Sequence, residues 1–492
     1  MTMRPLRFLR RGRLVEIDSF HPRTTLLEWL RLEERSTGTK EGCAEGDCGA
    51  CTVVLARLRR GQVVYHPVNA CIMLLGQVDG AEVITIEDLA EGDSLHPVQS
   101  AMVENHASQC GFCTPGIVMS LFALSHSGKM LDRGSVTQSL AGNLCRCTGY
   151  RPIVEAALGA CQGPVHDRFS ATMQASAQVL AALDDDTNMF SGSEEVFFAA
   201  PRSEAFLAAL IERYPEATLL GGGTDVGLWV TKDLRDLKQI IWLGRVNSLQ
   251  EIEVHQDRLL LGAGVTLEEA MPSLGAIDPD LQTLMQRFGS TQIRTSGTVG
   301  GNIANGSPIG DLAPALIALG AVIELGRSGE TRSIPLQDFF LAYRHQDRRT
   351  GEYLRALHIP LLSEGTHFRA FKISKRYEED ISSVLVAIRL TLLDGHIVDV
   401  RIACGGMAGT PRRATHVEQA LLGQPIASSV TWKTAGDTLP NDFAPMDDHR
   451  ASAKYRMQVA RATLIKALAE IAGLPTENTR IYPRRERVAA HG

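Results

Sequence analysis

The sequence predicts an α+β chain of several domains, and three observations carry that prediction. Its 492 residues are enough for three or four domains. Short alternating apolar runs occupy the N-terminal region and give way, at about residue 85, to apolar residues three and four apart, so a small sheet domain precedes a helical one. Further on, an apolar run enters Gly221, Gly222 and Gly223, and a second glycine-rich stretch runs from Gly297 to Gly310, as expected where strands and helices alternate around open turns.

The elements follow in order. Within residues 1–84, Thr52 to Leu58 and Gln62 to His66 alternate as strands, and TLLEWLRL from Thr25 to Leu32 has the period of an amphipathic helix. Within 85–162, the segments HPVQSAMVENHA, TPGIVMSLFALSHS, SVTQSLAGNLC and RPIVEAALGAC each read as a helix, and Pro115 and Pro152 stand where first-turn prolines start one. Residues 163–195 combine small polar residues with an acidic run and only one short helical pattern, so they read as an interdomain linker. From 196 onward, PRSEAFLAALIERYPEATLL gives a helix and then a strand ending at Leu220.

Eight of the ten cysteines lie before residue 148, in two groups of four. Cys43, Cys48, Cys51 and Cys71 read C-x4-C-x2-C with a distant fourth cysteine, the plant-type ferredoxin spacing for a [2Fe–2S] cluster. With a small sheet on a helix around them, residues 1–84 form a β-grasp ferredoxin domain in this reading. Cys110, Cys113, Cys145 and Cys147 supply four more thiolates from two short turns, which a four-helix arrangement would bring together at helix N-termini, where the dipole favours an anionic cluster. Four thiolates suit zinc as well as iron, and for the second group taken alone zinc stays open. In EGCAEGDCGACTVVLA, Gly42, Gly46 and Gly49 decide for iron, because they let the loop wrap tightly and aim N–H groups at sulfur. Two clusters on one chain imply a route for electrons. Cys161 and Cys404 are left over as small buried or indifferent thiols.

Composition narrows the function further. The net charge of −6 is small for this length, and no basic stretch is interleaved with aromatics, which argues against nucleic acid. No run of about 18 apolar residues is present, so no membrane span is expected. The opening MTMRPLRFLRRG has no apolar stretch behind its arginines, which argues against a secreted disulfide framework and for a cytoplasmic protein.

The turn at Gly221, Gly222, Gly223, Thr224 and Asp225 leaves backbone N–H groups open to a diphosphate, although a triple glycine is also an ordinary tight turn. A second loop, with Gly297, Gly300, Gly301, Asn302, Gly306 and Gly310 ahead of a helix, strengthens the reading, since two such loops can clamp a dinucleotide.

Together, EGCAEGDCGAC, QCGFCTPG, NLCRCTGYRP, LLGGGTDVG and GTVGGNIANGSPIGD resemble the xanthine dehydrogenase family of molybdenum hydroxylases, in the family's order and from about Leu6 to about residue 475. The resemblance implies that the two cysteine sets hold two [2Fe–2S] clusters, the helical one nearest molybdenum. It implies an FAD-binding domain of two subdomains over 196–366 and a C-terminal α+β flavoprotein domain over 367–480, containing CGGMAG at Cys404 to Gly409. FAD would be contacted by Leu219, Leu220, Gly221, Gly222, Gly223, Thr224, Asp225, Val226, Phe288, Thr298, Val299, Gly300, Gly301, Asn302, Asp311, Leu354 and Lys372. Among these, Leu354 reads equally as core, Lys372 as a solvated charge and Asp311 as a helix N-cap. Thr295 and Asp47 depart from the common pattern, where many relatives carry Asn and Gly.

The chain would thus be the small subunit of a split enzyme, with the molybdopterin cofactor on a large partner subunit, in a heterotetramer of two small and two large subunits. Electrons from hypoxanthine or xanthine would pass through the clusters to FAD and on to NAD, with no catalytic hydroxylation residue in this chain. The same role toward an aldehyde or another N-heterocycle, and a non-catalytic assembly role, are the alternatives.

Overall fold

The computed structural model describes residues 3–128, 131–161, 163, 165–476 and 479–481. It divides into two compact units, Met1–Asn247 with Gly289–Gly297, and Ser248–Phe288 with Thr298–Gly492. The expected flavin segment, 196–366, is therefore shared between them. Of the expected C-terminal domain, residues 477 and 478 lie outside the described residues.

In the first unit, a five-stranded sheet has the order Arg13–Ile17, Leu6–Arg10, Glu82–Ile84, Thr52–Arg59, Gln62–Asn69. Its two hairpins turn through Arg11–Gly12 and Arg60–Gly61, and all four residues have positive φ, the primed-turn geometry that matches strand twist. The predicted helix starts at a capping box, with Glu28 N donating to Thr25 Oγ1 at 3.1 Å and Thr25 N to Glu28 Oε2 at 2.8 Å. It runs from Leu26–Glu28 into a π-helical turn, Trp29–Glu33, burying Leu26, Leu27 and Leu30 on the sheet. Each such leucine contributes about 1.5–3 kcal/mol relative to exposure.

The four predicted helices appear as Pro97–Glu104, Thr114–Ser125, Arg133–Ser139 and Arg151–Ala160. Pro115 and Pro152 occupy first-turn positions. Thr114–Ser125 is apolar nearly all round because it is buried all round, packed with the strand Thr52–Arg59 in one core.

Residues 163–195, expected as a linker with one short helical pattern, carry the helices Arg168–Ala171 and Met173–Leu183 and the strand Asn188–Gly192. Their anchors are few and widely spaced: Phe169 and Leu180 join the helical core, and Met189 joins the sheet core. Sparse anchors leave only one short helical pattern visible in the sequence.

A second sheet in this unit has the order Met3–Arg4, Asn188–Gly192, Phe197–Ala200, Gln239–Trp242, Thr218–Leu220. Its first strand comes from the chain's start, and buried Arg4 is held by Asp79 at 2.8 and 2.9 Å. Arg245 reaches the same carboxylate at 2.9 Å.

The second unit has an antiparallel sheet ordered Ile252–Val254, Arg258–Gly262, Tyr353–Pro360, Val322–Arg327, Glu330–Pro335. A further antiparallel sheet is ordered Thr366–Ile373, Val384–Leu393, His396–Gly405, Arg412–Arg413. The helix Leu312–Leu319, every residue buried, packs against strands of both and joins them in one core. The long helix Ala453–Ile471 covers the second sheet's other cluster through Leu464 and Leu468. No helix among the described residues is long and apolar enough to cross a membrane.

Candidate iron–sulfur and flavin sites

The first cysteine set lies on one loop and at the end of one strand. Cys51 and Cys71 are buried and Cys43 and Cys48 half-buried. The sulfurs of Cys51 and Cys71 stand 3.2 Å apart, and Cys43 exchanges hydrogen bonds with Cys48 and Cys71. Those bonds hold the Cys43 thiol well below its ordinary range and push Cys48 and Cys71 up, as expected where crowded sulfurs share protons. The backbone N–H groups of Glu45 and Cys48 both point at Cys43 Sγ from 3.4 Å. Four converging thiols, with amides aimed at sulfur, have the chemistry a [2Fe–2S] cluster requires.

The second set is arranged as two neighbouring pairs, Cys110 with Cys147 and Cys113 with Cys145. Cys113 immediately precedes the helix Thr114–Ser125, and burial, then Cys145, pushes its thiol up to about 12. Cys145 is fixed by its own turn: its N–H donates to Tyr150 Oη at 2.8 Å, and its sulfur lies 3.2 Å from Thr148 Oγ1. Cys110 and Cys147 are exposed.

The two cysteine loops touch. Leu144 N donates to Cys48 O at 3.0 Å, which links a neighbour of Cys145 to Cys48 directly. This approach needs glycine: a Cβ on Gly49, whose φ is +67°, would lie 1.9 Å from Gly142 O, and one on Gly116 would lie 2.1 Å from Gly49 O. Beneath the contact is a buried polar cluster that the sequence did not reveal. Gln292 Nε2 donates to Asn143 Oδ1 at 3.0 Å, Ser120 Oγ at 3.1 Å and Thr52 Oγ1 at 3.2 Å. Asn143 in turn donates to Gly49 O at 3.1 Å. Thr295, one of the departures noted above, donates to Pro67 O at 2.6 Å.

The first glycine loop belongs to the first unit. Leu219 and Leu220 end the strand Thr218–Leu220, and Val226 opens the helix Val226–Thr231. Trp242 Nε1 donates to Gly221 O and Gln77 Nε2 to Gly222 O, both at 3.1 Å, which fixes two of the turn's carbonyls. Gly223 has a φ of +82°. Gly222 is a glycine for packing, since a Cβ there would lie 1.9 Å from Ser296 O. Thr224 and Asp225 complete the turn at the head of the helix.

The second loop belongs to the second unit. Thr298 Oγ1 accepts from Gly301 N at 3.0 Å and caps the helix Val299–Asn305, which carries Asn302. Val299 and Leu354 are buried in the core, and Phe288 packs against it. Gly300 lies against Ala263, where a Cβ would come within 2.4 Å. Asp311 stands at the N-terminal end of Leu312–Leu319 but makes no capping bond. Its carboxylate accepts from Lys372 Nζ at 2.6 Å and from Ser382 Oγ. Lys372 is therefore a buried, paired charge and also donates to Arg287 O at 3.2 Å.

Four family models match in sequence order: a 2Fe-2S iron-sulfur cluster binding domain over 10–75, a [2Fe-2S] binding domain over 85–158, an FAD binding domain in molybdopterin dehydrogenase over 190–362, and a CO dehydrogenase flavoprotein C-terminal domain over 369–471. Xanthine dehydrogenase of Emericella nidulans is 30% identical over 94% of the chain, and xanthine dehydrogenase 1 of Arabidopsis thaliana 32% over 81%. The chain spans 38% and 35% of those two proteins. Among solved structures, a chain of reconstituted CO dehydrogenase from Oligotropha carboxidovorans matches with a TM-score of 0.53 at 26% identity, covering 58% of this chain and 99% of that one. Quinoline 2-oxidoreductase from Pseudomonas putida 86, at 24% identity and a TM-score of 0.52, shares the fold over 56% of this chain and 95% of its own. With both iron–sulfur domains, the flavin-binding domain and the flavoprotein C-terminal domain present in order, the chain belongs to the molybdenum hydroxylase family and forms its iron–sulfur and FAD-binding portion.

Proposed function

We propose that this chain is the electron-transfer portion of a xanthine dehydrogenase, carrying electrons from hypoxanthine or xanthine oxidation at a molybdopterin centre on a partner subunit to NAD. The observation that carries the reading is that two cysteine loops, bonded to each other through Leu144 N and Cys48 O, lie on one chain with a flavin-binding domain. Relatives named xanthine dehydrogenase match over 94% and 81% of that chain. When bound, the clusters supply one-electron transfer, and FAD joins one-electron to hydride chemistry.

In this reading Cys43, Cys48, Cys51 and Cys71 hold one cluster and Cys110, Cys113, Cys145 and Cys147 the other. The amides of Glu45 and Cys48 stabilise negative charge on sulfur. Leu219 to Val226 offer backbone N–H groups and the Thr224 and Asp225 side chains to the FAD. Phe288, Thr298 to Asn302, Asp311, Leu354 and Lys372 are the further FAD contacts that the family resemblance implies, and of these Leu354 and Val299 belong to the core of the second unit. The partner would be a large molybdopterin-binding subunit in a two-plus-two assembly, in the cytoplasm.

The likeness to a CO dehydrogenase chain favours one second reading, the same electron-transfer role for a different substrate. The protein purified with its partner distinguishes the two by which substrate bleaches the flavin. Cys43→Ser and Cys147→Ser are expected to abolish different paramagnetic signals of the reduced protein. Loss of the same signal in both variants, or stoichiometric zinc with little iron, would overturn the ligand assignment.

A further inference from the structure

The helix Val226–Thr231 begins where the first glycine turn ends, and its other end reaches the loop that carries Cys43. Thr231 Oγ1 donates to Ala44 O at 2.7 Å, and Lys232 Nζ donates to Cys43 O at 2.6 Å. Lys232 also pairs with Glu45 at 3.4 Å, and both side chains are a little under half exposed. Gly227 lies so close to the residue after Cys71 that a Cβ would stand 2.3 Å from Ile72 O. This helix is therefore seated on the cysteine loop at both Cys43 and Cys71, and it brings one cation to the carbonyl of a thiolate residue.

A lysine at a helix C-terminus commonly serves its own helix's carbonyls. Lys232 instead donates across to Cys43, while Thr231 also satisfies Gly227 O at 3.1 Å. An electron added to a four-thiolate [2Fe–2S] cluster converts one ferric ion to ferrous and deepens the cluster's net charge from two minus to three minus. A fixed cation beside the loop favours that reduced form, and a fixed anion opposes it. We propose that Lys232 raises the reduction potential of the cluster held by Cys43, Cys48, Cys51 and Cys71, and that Glu45 lowers it, so that the pair sets the balance on the flavin side of the relay. The proposal rests on the ligand assignment given above.

At an effective dielectric of about 40 and a separation on the order of 10 Å, one charge changes the reduced-to-oxidised ratio about fourfold, or about 35 mV at 59 mV per tenfold. The test is a paramagnetic-resonance redox titration of the full chain with its partner, reading each cluster separately. Lys232→Met is expected to lower that ratio about fourfold for this cluster alone, and Lys232→Arg to restore it. Glu45→Gln is expected to shift the ratio the opposite way, and Thr231→Val, which removes a loop contact without a charge, to leave it in place. Equal shifts in both clusters, shifts of the same sign for Lys232→Met and Glu45→Gln, or a shift with Thr231→Val as large as with Lys232→Met would overturn the proposal. If Lys232→Met fails to assemble, the sign of Glu45→Gln decides. An unmoved signal that Cys43→Ser abolishes refutes the role of Lys232 alone, whereas a signal that survives Cys43→Ser refutes the assignment beneath it.

Discussion

Replacing Gln292 tests whether the polar cluster beneath the cysteine loops is a set of directed hydrogen bonds or only filled volume. Its Nε2 serves three buried acceptors, Asn143 Oδ1, Ser120 Oγ and Thr52 Oγ1, while its Oε1 is buried without a partner among the described residues. Two N–H groups shared over three acceptors are worth about 2 kcal/mol net, at about 1 kcal/mol per bond. Gln292→Leu forfeits that but also removes the unpaired Oε1, whose desolvation costs about 1 kcal/mol or more, so the expected net loss is only about 1 kcal/mol. Gln292→Glu keeps the shape, loses the donors and buries a carboxylate facing the oxygen of Asn143, an expected loss of about 3–5 kcal/mol. Guanidinium titration, followed by the visible absorbance of the clusters and by far-ultraviolet circular dichroism, would rank the variants wild type, Leu, Glu. Because a multidomain chain need not unfold in one step, the comparison is made on the transition that bleaches the clusters. A Glu variant as stable as wild type, or a Leu variant weaker than Glu, would refute the argument.

Two further outcomes follow from the same geometry. Gly222→Val is expected to deplete FAD while leaving both cluster signals, because its Cβ meets Ser296 O at 1.9 Å and must displace the turn; flavin content after gel filtration checks this, and full FAD occupancy would contradict it. Asp167 is an acid-sensitive point beside the helical region. Burial alone would push its carboxyl up, but hydrogen bonds from His126 and from His96, the latter at 2.8 Å, hold it well below the ordinary carboxylate range. His96 Nδ1 accepts from Val98 N, so its Nε2 carries the proton given to Asp167. A depressed carboxylate stabilises the fold above its unfolded value, near pH 4, and that stability is lost as pH falls toward the folded value. Between about pH 5 and pH 3, wild type is expected to lose stability more steeply than Asp167→Asn, and parallel curves in acid titrations by circular dichroism would refute the assignment.

What could be read from the sequence was whatever local chemistry compels. C-x4-C-x2-C spacing, first-turn prolines at Pro115 and Pro152, and the strand-to-glycine turn at Leu220 each impose their geometry within a few residues, and each appears in the structure at its expected place. The unread parts depend on partners far away in the chain. Met3–Arg4 is too short to show a period, and it joins the sheet of Asn188–Gly192 because Arg4 finds Asp79, 75 residues on. The helix Met173–Leu183 buries only Leu180, so its sequence looks like a solvated linker. Gln292 had no signal at all, since a glutamine in FGSTQIRTS is indistinguishable from a surface residue until Asn143, Ser120 and Thr52 are brought around it.

The same distinction explains why the glycines split into two kinds. Gly223 is needed for its own backbone angle, which a local turn signal announces. Gly116, Gly222 and Gly300 are needed because another backbone stands where a Cβ would go, Gly116 and Gly300 inside regular helices, and Gly49, with a φ of +67°, is needed for both reasons. Gly49 and Gly116 have a functional consequence beyond packing. They let the loop of Cys48 and the helix that follows Cys113 approach to backbone contact, so that the Leu144–Cys48 hydrogen bond forms between loops separated by about a hundred residues of chain. Electron transfer weakens steeply with distance, so a pair of clusters is useful only when the chain between them can be brought this close. In this protein, the residues that make the approach possible are those with no side chain at all.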